Sequence, residues 1–455
     1  YLPELPLLDP VSLNGFVFGG VAVACTMIAM AFAVLPVAAM RNIDFVAAVR
    51  GGAQQTASQR GVRWRRWLVA TQIAASVVLL GNTLLLARSF QRVLSTDPGF
   101  DPHHTLTFGL GIPESRYDTD AKMAAFHAGL EDRLQALPQV EAVSGVVGLP
   151  MSGGSGRARF LLPGDADSVQ RPMRMSIVGT GYLRAMRIPL LAGRNFTLDD
   201  RLGKPGVVMI NQTMAKQHFA GRDPVGERIR ISWRTPSYPK GSEFEIIGVV
   251  GDTRQGTLEQ QILPQVYANT AQLPTEGGVY VIRTAASAET LAPSVSNALA
   301  SIDPALERIQ LRPMTERLDA TLRNRRVSLV LVGGFAGLAL LLALAGVGSL
   351  LSFLAVQRRK EFGIRVALGD SPQGLAALVL RQAAALATTG LTIGLPMTVA
   401  VAQWIGSQLH ETSPLEATVY VAVVAVILAM ALFAAAIPAW RAARVDPATI
   451  LRSDG

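Results

Sequence analysis

Five stretches of mostly apolar residues, each long enough to cross a bilayer as a helix, constrain this sequence more than any other feature. They lie near residues 17–39, 67–87, 329–356, 375–406 and 417–437, and about 20 such residues span the hydrocarbon core. None contains Asp, Glu or Lys in its interior, and Arg381 is close enough to the start of the fourth stretch to reach the interface. The sequence therefore predicts an α-helical membrane protein with about five transmembrane helices and without a proton or ion relay.

The composition agrees with a membrane location. Charged residues make up only 16% of the chain, where about a quarter is usual for soluble proteins. That is too little charge to cover the surface of a wholly soluble protein. The single cysteine, Cys25, lies inside the first apolar stretch, which excludes a disulfide framework or a cysteine zinc site.

The formal net charge of +9 is distributed beside the apolar stretches. Basic residues crowd the segment 41–66, the loop 357–370 and the tail after residue 438. The positive-inside rule assigns all three segments to the cytoplasm, and five spans satisfy that assignment. We interpret the charge as membrane topology and expect no nucleic-acid partner. The same topology exports residues 90–326.

The exported region mixes two periodicities. Alternating apolar residues predict strands at Thr105–Ile112, Val143–Gly148, Val207–Ile210, Glu243–Val250, Val279–Arg283 and Arg308–Leu311, and helical spacing predicts helices at Ala121–Leu137, Gln212–Phe219, Ala288–Ser301 and Thr315–Thr321. A strand–helix–strand order occurs near both ends of the region. We therefore expect a large inserted α+β domain, with one lobe built from both ends and a second, strand-rich lobe inserted at about 150–270.

An internal repeat relates the two ends of the chain. Leu35-Pro36, Asp44 and Arg50 are matched by Ile437-Pro438, Asp446 and Arg452, each 402 positions further on. Chance similarity between two apolar spans is the alternative explanation. We expect residues 1–40 to be the end of a preceding copy of the unit that closes at 455, and the chain to be the C-terminal part of a longer, duplicated membrane protein.

The sequence contains no recognisable catalytic or metal-binding motif. It has no Gly-x-x-x-x-Gly-Lys-Ser/Thr phosphate loop, and His410-Glu411 lacks the second histidine of a zinc protease. His103 and His104 are adjacent, so their side chains are expected to point apart. We predict no catalytic residue, cofactor or metal site.

A charged and apolar segment follows the third apolar stretch directly. Residues 358–369 read Arg-Arg-Lys-Glu-Phe-Gly-Ile-Arg-Val-Ala-Leu-Gly. Phe362, Ile364 and Leu368 alternate with charges, which predicts a short amphipathic element whose apolar side has no core of its own and needs a partner or the membrane surface. The alternative is a stop-transfer loop lying on anionic lipid.

This segment resembles the cytoplasmic coupling element of MacB/FtsX-like ABC transporter permeases. Further similarity lies in Asp97-Pro98-Gly99-Phe100, in Gly248-Val249-Val250-Gly251-Asp252 and in the closing run from Pro438 to Pro447. The similarity covers essentially the whole chain. Together with the repeat, it resembles the duplicated permeases of this family found in acidobacteria.

The resemblance implies a domain organisation. It implies the last transmembrane helix of a preceding permease repeat at 1–40, a basic cytoplasmic linker at 41–66, the first transmembrane helix of the second unit at 67–89, a periplasmic core domain with a porter-like lobe at 90–326, and a three-helix FtsX-like permease domain at 327–455. The coupling element at 357–370 contains the implied site residues, Arg358, Glu361, Phe362, Gly363, Ile364, Arg365, Leu368 and Gly369.

The resemblance also implies a function. It implies a non-catalytic permease subunit in the bacterial inner membrane, which couples ATP hydrolysis by a partner ABC ATPase to a periplasmic conformational change in export, efflux or lipoprotein handling. The implied partners are that ATPase, the lipid bilayer, a second permease unit in the chain or in a dimer, and a periplasmic or outer-membrane protein. The alternative is a membrane-anchored regulator of a periplasmic protein, such as a cell-wall hydrolase. A membrane-bound enzyme is a third class, for which the sequence offers no residues.

Overall fold

The computed structural model describes residues 54–444, apart from 114, 153–155, 167, 233–241, 304–305, 307–308, 369 and 405–414. These residues form two compact units. We call Phe90–Val327 the α+β unit, and the described residues up to Ser89 and from Ser328 onward the helical unit. The predicted first span, Cys25 and both polar flanks of the repeat, 41–50 and 445–452, lie outside the described residues.

The described part of the chain contains nine helices. They are α1 (Gln54–Leu94), α2 (Asp120–Gln135), α3 (Tyr182–Met186), α4 (Gln212–His218), α5 (Ala288–Ala300), α6 (Met314–Gln357), α7 (Arg359–Ala367), α8 (Pro372–Trp404) and α9 (Ala417–Ala443). Four of them, α1, α6, α8 and α9, are long and apolar enough to cross a membrane. The longest, α6, has 44 residues, or about 66 Å at 1.5 Å per residue.

Small residues let α1 and α8 pack closely. A side chain at Gly390 would collide with Ile73, and one at Gly394 would collide with Val77. Gly81 approaches Thr398 one turn further along. The contacts advance in the same direction along both helices, so α1 and α8 run parallel.

The other two membrane-length helices run in the opposite direction. Ser76 Oγ donates a hydrogen bond of 2.9 Å to the carbonyl of Ala339 in α6, while Gln72, one turn earlier in α1, faces Gly346. Glu416, at the start of α9, lies 3.2 Å from Nε of Arg88, which is near the end of α1, and Ala434 further along α9 lies opposite Gly348 of α6. The starts of α1 and α8 and the ends of α6 and α9 therefore lie at one end of the helical unit. We call this the basic end, because it contains Arg63, Arg65, Arg66, Arg358, Arg365, Arg381, Arg441 and Arg444.

The α+β unit is built on one sheet of eleven strands. They are β1 (Thr105–Gly111), β2 (Val140–Val147), β3 (Gly156–Leu161), β4 (Arg171–Val178), β5 (Leu190–Gly193), β6 (Val207–Asn211), β7 (Arg228–Ile231), β8 (Ser242–Val250), β9 (Gln265–Asn269), β10 (Gly277–Thr284) and β11 (Arg312–Pro313). Strands β11, β1, β10 and β2 are neighbours in that order and pair antiparallel. With α2 and α5 as the connecting helices, this is the β-α-β-β-α-β topology of a ferredoxin-like fold.

The chain between β2 and β10 forms a second structure. Six strands close into a ring through the pairings β4–β3, β3–β7, β7–β8, β8–β6, β6–β9 and β9–β4. A buried apolar cluster contains residues of all six, including Phe160, Ile229 and Val266. Pairing of β2 with β4 joins the ring to the ferredoxin-like half.

The predicted elements of this unit agree with the structure except near its C-terminal end. The five predicted strands from Thr105 to Arg283 are confirmed as β1, β2, β6, β8 and β10. Of the strand expected at Arg308–Leu311, Arg308 lies outside the described residues, and the prediction is wrong for 309–311, because the pairing with β1 begins only at Arg312 and lasts two residues. The helix expected at Thr315–Thr321 is the start of α6.

Candidate functional site

The predicted coupling element is a short helix at the basic end. Arg358, with φ −98° and ψ 14°, separates α6 from α7. The helix ends at Leu368, and the hydroxyl of Ser371 then accepts a hydrogen bond of 3.1 Å from the backbone N–H of Gly374 at the start of α8. Two breaks in the helical path thus hold α7 between two membrane-length helices.

One acidic side chain organises the charged face of α7. Arg365 Nη2 donates a hydrogen bond to Glu361 Oε1 at 2.7 Å, and Arg358 Nε lies 3.9 Å from Glu361 Oε2. These side chains are between 40 and 44% exposed, so each pair contributes less than about 1 kcal/mol to stability. Their effect is to orient the two arginines on the surface.

Phe362 faces the opposite way, into the helical unit. It is 2% exposed and belongs to the same buried cluster as Leu354, Leu375 and Ala439. Gly363 beside it is also buried. The prediction that the apolar side of this element lacks a core is therefore wrong for Phe362, because α7 folds back onto the ends of α6, α8 and α9.

The apolar side chains that remain uncovered are Ile364 and Leu368. They are 55% and 83% exposed, and four residues of spacing places them on one face of α7. Gly369, the last predicted site residue, lies outside the described residues. We call Ile364 and Leu368, with the flanking Arg365, the α7 face. It combines apolar and cationic groups, which suits contact with another protein or with an anionic membrane surface.

The described residues contain no group of three or more metal-binding side chains. His103 and His104 are both exposed, and His104 has a positive φ of 56° in the turn before β1. His127 is buried, with Nδ1 2.5 Å from the Tyr280 hydroxyl and Nε2 2.8 Å from the Thr275 carbonyl. Burial lowers the pKa of His127, so it is a neutral packing residue near pH 7.

Glu131 is a titratable group that sequence reasoning missed. It lies on α2 against β2, where its Oε1 accepts a hydrogen bond of 2.7 Å from the backbone N–H of Gly145. Burial raises the pKa of Glu131 to about 7 despite that hydrogen bond. The carboxylate also lies against Gly179, where a side chain would collide with it. Only the fold reveals this environment, since the sequence around Glu131 reads as an ordinary helix surface.

Two family models match the chain and together cover most of its length. The model of the MacB-like periplasmic core domain matches residues 24–302, and that of the FtsX-like permease C-terminal domain matches residues 333–447. The chain belongs to the MacB/FtsX-like ABC transporter permeases. This confirms the resemblance predicted from the sequence. The membrane-length helices and the inserted α+β domain confirm the predicted fold class.

Individual relatives are distant. The chain is 25% identical over 299 residues to the macrolide export ATP-binding/permease protein MacB of Azoarcus sp. (strain BH72), covering 64% of this chain and 44% of that protein. It is 25% identical over 338 residues to the pyoverdine export ATP-binding/permease protein PvdT of Pseudomonas syringae pv. tomato, covering 70% and 47%. The chain thus spans less than half the length of these two relatives.

A solved structure is also similar to part of the chain. The crystal structure of the periplasmic region of MacB from Actinobacillus actinomycetemcomitans matches with a TM-score of 0.34 and 15% identity. The match covers 51% of this chain and 98% of that one.

Proposed function

We propose that this chain is the permease subunit of an ABC transporter and that the α7 face binds its ATPase. One observation carries the proposal: Ile364 and Leu368 are exposed on a short helix whose other side is anchored by the buried Phe362. A helix with one face anchored and one face free passes a displacement to the helices on either side of it. Family membership supports the class of transporter.

The proposal assigns ATP hydrolysis to a partner and none to this chain. Its 455 residues contain no phosphate loop, and the described residues contain no group of three or more side chains that could hold a metal ion. The relatives are named as ATP-binding/permease proteins, which supports pairing of the two activities in one complex. Those names also support export as the process that the complex drives.

The proposal places the basic end in the cytoplasm and residues 90–326 in the periplasm, across the bacterial inner membrane. Support comes from the helix directions, since they collect the arginines of four separate helix ends on one side. Both α1 and α6 continue from the helical unit into the α+β unit. In this proposal, motion at α7 passes to α6 across Arg358, and α1 and α6 are the chain connections to residues 90–326.

The predicted domain boundaries remain part of this proposal. They include the preceding permease repeat at 1–40 and a second permease unit as partner within the polypeptide or in a dimer. A periplasmic or outer-membrane partner belongs to the same expectation.

The experiment is co-expression of the full chain with candidate ABC ATPases, purification in detergent, and measurement of co-elution and ATP hydrolysis. We expect the double variant Ile364→Asp/Leu368→Asp to lose co-elution by at least about tenfold, because two carboxylates replace the apolar contact. The matched control is Leu198→Asp in the α+β unit, a site that is also 83% exposed. It should co-elute as the wild type does.

Retained ATPase binding in the double variant would contradict the assigned site. Failure of the wild-type chain to recruit any ATPase would favour the alternative function, a membrane-anchored regulator of a periplasmic protein. That alternative predicts that the α+β unit recruits its partner whether or not an ATPase is present.

A further inference from the structure

A cavity opens at the basic end, inside the helical unit. Its volume is about 300 Å³, and residues of α1, α6 and α8 line it. The α1 wall consists of Arg63, Arg66, Trp67 and Ala70. Spacings of three, four and seven residues place all four on one helical face. This face begins with two guanidinium groups and becomes apolar one turn further into the membrane-length helix.

The α8 wall also changes from polar to apolar along the helix. Gln382, Leu386 and Thr389 line it at the equivalent spacing. Gly390 of α8 faces the carbonyl of Ala70 in α1, so the neighbouring Thr389 is at the same height along the helices as Ala70. Gln382 lies about 10 Å before Thr389 in α8, and Arg63 lies the same distance before Ala70 in α1. Because the two helices run parallel, Gln382 is at the same height as Arg63. The side-chain amide is therefore beside the guanidinium groups, and Leu386 is beside the apolar part of α1.

The two arginines at the mouth lack a carboxylate. Arg63 and Arg66 are exposed, and neither forms an ion pair with another residue of the described chain. Arg65 between them belongs to a different face and lies 4.2 Å over the ring of Phe353. Two like charges one turn apart repel each other, so an anion at the mouth of the cavity is stabilising.

We propose that this cavity binds one anionic phospholipid. The phosphate lies between Arg63, Arg66 and the amide of Gln382, and the start of an acyl chain lies against Ala70 and Leu386. Trp67, which is 57% exposed beside the cavity, suits the boundary between headgroups and hydrocarbon. Basic pockets between transmembrane helices bind anionic headgroups for this reason. The inference is independent of the ATPase and needs only that these helices cross a bilayer.

The occupant is a lipid because of the order of the groups. A free phosphate satisfies the arginines but leaves the apolar part of the walls uncovered. A zwitterionic lipid brings its own cation to a site that already carries two. An anionic phospholipid matches the charge at the mouth and the apolar surface behind it.

The test uses the full chain in mild detergent with equimolar phosphatidylglycerol and phosphatidylcholine, and native mass spectrometry counts the retained lipids. We expect one phosphatidylglycerol per wild-type chain. Arg63→Gln/Arg66→Gln should weaken its retention about 25-fold, since each basic residue near a membrane surface contributes about fivefold. Arg381→Gln/Arg441→Gln is the matched control, because it removes the same charge from exposed positions at the same end. It should change retention by less than about twofold, because neither Arg381 nor Arg441 lines the cavity.

A second variant tests the space in the cavity without changing the charge at its mouth. Ala385 is exposed and lines the cavity, so Ala385→Trp should expel the lipid while both arginines stay. Thermal unfolding checks that each variant is folded. The proposal is overturned if phosphatidylcholine is retained equally, if the control loses as much lipid as the double variant, or if Ala385→Trp retains the lipid. Absence of bound phosphatidylglycerol from the wild-type chain would also overturn it.

Discussion

Glu131 shows how burial of one carboxylate makes stability depend on pH. Its pKa is raised from about 4.5 to about 7 in the folded protein. Below pH 4.5 the group is protonated in both states and has no effect. As the pH rises from 4.5 to 7, the unfolded chain gives up a proton that the folded chain keeps, so this group reduces stability over that interval.

The variant Glu131→Gln should remove this dependence. The amide oxygen of Gln still accepts the Gly145 hydrogen bond, while no charge has to be buried. We expect the variant to be more stable than the wild type by up to about 3 kcal/mol at pH 8 and equal to it below pH 4.5. Hydrogen exchange of peptides from α2 and β2, measured in the full chain from pH 4 to 8, gives the comparison. If the variant and the wild type showed the same pH dependence, Glu131 would already be ionised in the folded state between pH 4.5 and 7, as it is in the unfolded chain.

Arg283 and Arg187 share one carboxylate in different surroundings. Each places its Nη1 3.2 Å from Asp101 Oδ2, but the Arg283 side chain is 1% exposed and that of Arg187 58%. Arg283 also donates hydrogen bonds to the backbone carbonyls of Ala185, Asp101 and His103. Burial lowers the pKa of Arg283, but the guanidinium group stays cationic at physiological pH.

We predict that Arg283→Ala costs about 3 to 5 kcal/mol, because it leaves the buried carbonyl of Ala185 and two partly buried carbonyls without a donor. Arg187→Ala should cost less than about 1 kcal/mol. Denaturant unfolding of the full chain in detergent measures both. Equal costs would mean that exposure does not determine the strength of these pairs.

At the scale of elements, one side of α7 is buried in the helical unit and the other side is exposed. Each side has to be tested with its own variants. Phe362 is packed with Leu354 and Leu375, whereas Leu368 is exposed. A loss of ATPase coupling in a Phe362 variant would therefore combine misfolding with lost docking. Variants of Ile364 and Leu368 report on docking alone.

We predict that Phe362→Ala lowers stability by about 3 kcal/mol, through the cavity left in the cluster. Leu368→Ala should change stability by less than about 0.5 kcal/mol. Thermal unfolding followed by the fluorescence of Trp440 in α9 makes the comparison, with the other tryptophans replaced by Phe. A stable Phe362→Ala protein would show that α7 is not anchored.

Sequence patterns predicted the elements unevenly, for physical reasons. The membrane-length helices were predictable because apolar length alone identifies them. The helix at 315–321 and the third apolar stretch appeared separate, since residues 322–326 are mostly polar, yet the backbone stays helical throughout α6. Strands β3, β4, β5, β7 and β9 were missed. For example, β4 begins Arg171-Pro172 and β7 has only four residues, and both depend on partners distant in the sequence.

At the scale of the whole molecule, the large α+β domain was predictable and the closed ring within it was not. The short helix α7 was predicted as an amphipathic element from its residues, but which of its side chains are covered depends on the ends of three other helices. The lipid cavity likewise depends on three helices that are distant in sequence. Local patterns identify segments, and tertiary packing decides which faces remain free.

The ring should be separable from the ferredoxin-like half. Val146 of β2 pairs with Val279 of β10, and the buried cluster around α2 and α5 contains no residue between 148 and 276. We predict that replacing residues 148–277 by Asn-Gly gives a tight hairpin. Val146→Thr and Val281→Thr would reduce the apolar face left exposed. Retained slow hydrogen exchange in β1 and β10 would agree with this, and fast exchange there would contradict it.

The place where the ring enters the chain has an evolutionary consequence. The chain enters the ring from β2 and leaves it into β10, and these two strands are neighbours in the sheet. In the ferredoxin-like half, the ring therefore occupies the position of a hairpin loop. An insertion at such a position can be exchanged, enlarged or lost while β2 and β10 keep their places in the sheet. A change in the ring therefore need not disturb the helical unit.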